Sequence, residues 1–148
     1  MNLYIVSIYL FLVATLHSKL EIMIECDETG GWAKKLPCWR FNCYIIKLII
    51  GKEITGYHTY MLILFLTLFH GLFLVDNWTL KKEFFVLGCF CIYWCIEDIM
   101  WFVQNKHYGL KKFRKGHISW HNRWFFYLPV SYWTSIIIGG ILIYLGLS

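Results

Sequence analysis

Four apolar runs divide the chain, at residues 3–17, 57–75, 84–103 and 125–147. A helix that crosses the hydrocarbon of a bilayer needs about 20 residues. The last three runs meet that length, and the first begins at Leu3 and breaks at His17. The pattern predicts an all-α integral membrane protein, a four-helix transmembrane bundle forming one domain over residues 1–148. The first run has the length of a signal-peptide core. No basic residue precedes it and no small-x-small site comes after it, so it is expected to stay as a span.

The connections carry weaker patterns. Phe41, Tyr44, Ile45, Leu48 and Ile49 fall on one helical stripe with Lys47 off it, which predicts an interfacial amphipathic helix over residues 41–50. Lys19 to Glu25 alternates like a short strand, although Leu20 and Ile24, four apart, also allow the first helix to continue. Asp27 to Gly31 reads as a turn, and Pro129 is placed to kink the fourth span.

Composition agrees with the membrane reading. The chain is 59% hydrophobic, 20% aromatic and 16% charged, with a mean hydropathy of +0.55. A soluble domain is nearer a quarter charged. Trp32, Trp39, Trp78, Trp120, Trp124 and Trp133 sit beside the runs, where aromatic belts lie. Six Cys are present. Cys89, Cys91 and Cys95 lie in an apolar run, where Cys packs as a small apolar residue, and the spacing does not match a zinc site.

Charge orients the bundle. Residues 18–56 carry six Lys/Arg and residues 104–124 carry six more, while the connection between the second and third runs has Lys81 and Lys82. The positive-inside rule then makes loops 18–56 and 104–124 cytoplasmic and both termini non-cytoplasmic. Lys111, Lys112, Arg114 and Lys115 are placed to meet anionic lipid headgroups. The net charge of +5 fits such lipids, and no nucleic-acid motif occurs.

Glu97 and Asp98 stand side by side inside the third run. A carboxylate at membrane depth costs several kcal/mol, on the order of 3 or more, unless it is paired, protonated or wetted. Glu97 lies six residues before Val103, about 9 Å from the end of the span. His58, His117 and His121 fall near the same membrane face, as do His17 and Glu21. Adjacent residues point about 100° apart around a helix, so the two acids address different partners.

Two chemistries suit these residues. In the first, His58, His117, His121 and Glu97 ligate a divalent metal such as zinc, iron or manganese, with His117 and His121 four apart on one helical face. In the second, Glu97, Asp98 and His121 are the catalytic acid–base groups, oriented by Gln104 and Asn105 and acting on a lipid-like or other membrane-soluble substrate. Haem is disfavoured, because His70 has no facing His at its depth. The alternative is a non-catalytic accessory or structural subunit, with membrane-protein partners or further copies of itself.

Overall fold

The computed structural model describes residues 2–25, 31–45, 52–118 and 120–148. Among the described residues are four long helices: α1 (Leu3–Glu25), α2 (Gly56–His70, continued by a 3-10 turn Gly71–Leu74), α3 (Leu80–Gln104) and α4 (Val130–Leu147). All four are long and apolar enough to cross a membrane. Two short antiparallel pairs also occur among the described residues, Arg40–Phe41 with Ile54–Thr55 and Trp124–Phe125 with Leu128–Pro129.

α3 is the centre and packs chiefly against α4 and α1. Against α1 it sets Phe85, Cys89 and the fully buried Tyr93 on Leu10 and Ala14. Gln104 then ties the two helices by donating to the Thr15 carbonyl (2.9 Å) and the Ser18 hydroxyl (2.6 Å). These pairings make α1 and α3 parallel. Against α4 the approach is closer still, because Gly88 meets Gly139 backbone to backbone and Gly146 meets Phe85. Absent side chains let helices approach in this way when no hydrophobic drive is available from the solvent. α2 runs antiparallel to α3, its Phe65 and Phe69 leaning on Tyr93.

The outward faces of α2 and α4 are apolar. Tyr60, Leu62, Ile63, Leu64 and Leu68 of α2 are all exposed, as are Ile137, Ile141 and Tyr144 of α4. A patch this large is costly in water and suits a hydrocarbon surround.

Several expectations change. The first helix continues to Glu25, so Lys19 to Glu25 is helical and not a strand. The tail stays helical because its polar residues Ser18, Glu21 and Glu25 are buried against the other helices. The fourth span starts at Val130 and not at 125. Pro129 closes the preceding hairpin and caps α4 instead of kinking it, since proline lacks the N–H that a helix interior needs. Phe41 is paired in a strand with Ile54, so no helix begins there. Tyr44 and Ile45 are helical, and the rest of the proposed amphipathic helix, residues 46–50, lies outside the described residues. Of the proposed turn at 27–31, Gly31 alone is described.

The α3–α4 contact gives a test. A Cβ on Gly88 would sit 2.8 Å from the Gly139 carbonyl oxygen, whereas one on Gly140 meets nothing within 4 Å. Gly88→Ala should destabilise by about 1–3 kcal/mol, and Gly140→Ala should stay within about 0.5 kcal/mol of the parent. Thermal unfolding in lipid nanodiscs measures both, and equal effects would contradict the packing.

Candidate functional site

The C-terminal ends of α1 and α3 and the N-terminal ends of α2 and α4 meet at one end of the bundle. There they enclose a cavity of about 280 Å³. Its walls are aromatic, from Trp32, Trp94, Trp101, Trp120 and Tyr132, and its polar groups are Glu21, Glu25, Lys52, His58, Glu97, Asp98 and His121, with Ser131 and Ser135. Trp101, Phe102, Ile118 and Trp120 form a buried hydrophobic cluster over this end.

α1 supplies one polar stripe. His17, Glu21 and Glu25 recur every four residues, hence on one face, and all three are buried. His17 Nδ1 lies 2.8 Å from the Tyr93 hydroxyl and 3.9 Å from Glu97 Oε1. The carboxyls of Glu21 and Glu97 are within hydrogen-bonding reach of each other. Glu25 accepts a hydrogen bond from the Ala33 backbone N–H. Trp32 and Ala33 both adopt positive φ, 59° and 52°, in the turn that brings this N–H to the carboxylate.

α2 contributes His58 from its first turn. The Thr55 hydroxyl caps this helix by accepting from the His58 N–H, and it also lies 2.6 Å from Nδ1 of the same residue. That leaves His58 Nε2 facing Glu21 Oε1 at 3.4 Å and Glu25 Oε1 at 3.9 Å. The imidazole stacks on Trp32 with ring centres 3.8 Å apart.

The two acids of α3 diverge as their adjacency requires. Glu97 turns toward α1. Asp98 turns toward α4, where Oδ2 lies 2.9 Å from His121 Nε2 and accepts from the Tyr132 hydroxyl. The loop between α3 and α4 brings His121 there, and the Trp124 indole N–H donates back to the His121 carbonyl at 2.6 Å.

The expected metal set does not converge. Glu97 pairs with His17, His58 with Glu21 and Glu25, and His121 with Asp98. His117 is exposed, outside the cavity, with Nε2 3.1 Å from an Arg114 guanidinium nitrogen. Gln104 braces α1, and Asn105 Oδ1 accepts from the His107 and Tyr108 N–H groups, so neither orients the acids. Sequence reasoning missed Glu21 and Glu25 as site groups, along with His17, Lys52 and Tyr132. The four-residue spacing of His17, Glu21 and Glu25 was a readable signal. Lys52 and Tyr132 had none.

Four carboxyls therefore meet in a low-dielectric space. Like charges at such separations repel strongly unless protons or cations intervene. Lys52 also lines this space. Its ammonium sits 3.3 Å from the centre of the Trp32 ring, a cation–π contact.

No protein-family model, curated protein or solved structure matches the chain.

Burial pushes the half-buried Lys52 down to about 8, against the opposing pull of Asp98, Glu21, Glu97 and Glu25. An unfolded lysine titrates near ~10.4. Between about 8 and ~10.4 the unfolded chain holds more protons, so this group makes stability rise with pH across that window. Its cost is present in full below the window. NMR of isotope-labelled dimethyl-lysines should show one resonance titrating near 8 and absent from Lys52→Arg. Titration of every lysine near ~10.4 would contradict the enclosure.

Proposed function

We propose that the chain is an integral membrane enzyme that performs acid–base chemistry on a membrane-soluble substrate at one face of the bilayer. The observation that carries this reading is the Asp98–His121–Tyr132 group. It is a carboxylate hydrogen-bonded to an imidazole and a phenol at the wall of an aromatic cavity. A carboxylate on one imidazole nitrogen orients the ring and supports the imidazolium that forms when the ring takes a proton. Asp98 is the orienting acid, and His121 is the proton acceptor and donor. Tyr132 holds the carboxylate in place.

The surroundings define the substrate class. Trp94, Trp101, Trp120 and Leu62 offer apolar and aromatic surface, which suits a lipid or isoprenoid body. Lys52 lines the cavity, and its ammonium suits an anionic head. The exposed residues Lys111, Lys112, Arg114 and Lys115 of the α3–α4 loop suit anionic lipid at the same end. By the positive-inside rule this end is cytoplasmic.

A second reading, an accessory subunit, draws on α2. Little of this helix is buried, and Tyr60, Leu62, Ile63, Leu64 and Leu68 offer a face that another membrane protein or a second copy could cover. Co-purification of a stoichiometric partner that covers α2 would favour it.

Comparative lipid analysis of cells lacking the protein tests the enzyme. Parent chain should restore the lipid profile. Asp98→Asn and His121→Gln, at equal folded yield, should slow the conversion by about 10²–10⁴-fold and leave a precursor accumulated. Full restoration by both variants would overturn the proposal.

A further inference from the structure

We propose that the glutamate wall of the same cavity, with His17 behind it, holds a dinuclear site for first-row divalent metal ions, bridged by Glu21. Two donor triads share this residue. His17, Glu21 and Glu97 place one ligand atom each within 4.8 Å of one another, and Glu21, Glu25 and His58 do the same. Each triad holds one imidazole and one carboxylate of its own, with the Glu21 carboxylate common to both. Carboxylates have two oxygens and bridge metal pairs. A mixed imidazole–carboxylate set suits manganese, iron or zinc, and lacks the thiolates that softer ions prefer.

The placement is a product of helix geometry. His17, Glu21 and Glu25 span eight residues of α1, roughly 12 Å along its axis. The bridging residue therefore sits one turn from each of the other two. α3 closes one triad with Glu97 and α2 closes the other with His58, whose Nδ1 is held by Thr55 while Nε2 faces the acids. Orientation of the distal nitrogen by a hydrogen bond is the usual support for a metal-binding histidine.

A second observation points to a cation. The His17 and Glu97 side chains are 1% and 3% exposed. Glu97 Oε1 comes no nearer to His17 Nδ1 than 3.9 Å, and neither this oxygen nor His17 Nε2 makes a hydrogen bond among the described residues. A buried oxygen left unpaired costs about 1–3 kcal/mol, and more when charged. On the other side of the cavity, by contrast, Asp98 Oδ2 is satisfied by His121 and Tyr132.

The metal site is distinct from the Asp98–His121 pair, so the two readings fail separately. The experiment uses full-length protein in lipid nanodiscs, stripped with chelator and titrated with manganous ion, with metal counted per chain by mass spectrometry and spin resonance. Parent protein should bind two ions with the exchange-coupled signal of a bridged pair. Glu97→Gln and His17→Ala should each lose one ion, as should Glu25→Gln and His58→Ala, and the coupled signal should vanish in all four. Glu21→Gln should lose the coupling and bind at most one ion. Asp98→Asn and His117→Ala should still take two. Circular dichroism confirms folding, and for a histidine variant that does not fold the Glu→Gln partner in the same triad replaces it. One ion in the parent, or two uncoupled ions unaffected by Glu21→Gln, would overturn the bridged site. No bound ion in folded parent protein would remove the metal altogether while leaving the acid–base reading to its own test.

Discussion

Mutual repulsion among buried and half-buried carboxyls governs this structure. Glu21, Glu25, Glu97 and Asp98 line one cavity from α1 and α3. Each faces an imidazole: His17 lies beside Glu97, His58 is shared by Glu21 and Glu25, and His121 with Tyr132 serves Asp98. The connections between helices serve this arrangement. One brings Trp32 and Lys52 over the cavity, and another returns His121 to Asp98. At the opposite end of the bundle the polar chemistry is simpler, with His70 bound to Glu83 at 2.9 Å and the Trp78 indole N–H donating to the same carboxylate.

The helices themselves were legible. Long apolar runs admit few alternatives, because a backbone in hydrocarbon must satisfy its own hydrogen bonds. The boundaries were less so. α1 outlasts its apolar run because Ser18, Glu21 and Glu25 are buried by protein rather than by lipid, and hydropathy does not distinguish the two. Pro129 looked like an interruption and is a boundary, since the hairpin Trp124 to Pro129 consumes residues that read as membrane-spanning.

The site was half legible. Glu97 and Asp98 announced themselves as charges in an apolar run, and their divergence was dictated by adjacency. Their partners were hidden, because they depend on how helices rotate against one another. Gly88 and Gly139 set that rotation for α3 and α4, and Gln104 sets it for α1. His17 and Glu21 seemed to belong to a helix end near water, where polar residues need no explanation. Rotation toward α3 is what made them interior. His117 shows the converse: its spacing from His121 suggested a shared face, but no helix forms over that stretch among the described residues.

Thr55 links two levels of organisation. A single hydroxyl both begins α2 and holds one edge of the His58 ring. The register at which the helix starts and the direction in which the imidazole points are thus one degree of freedom. A drift of the helix start by one residue would swing the ring by about 100° and away from both glutamates. Secondary structure and ligand geometry in this part of the chain form or fail together.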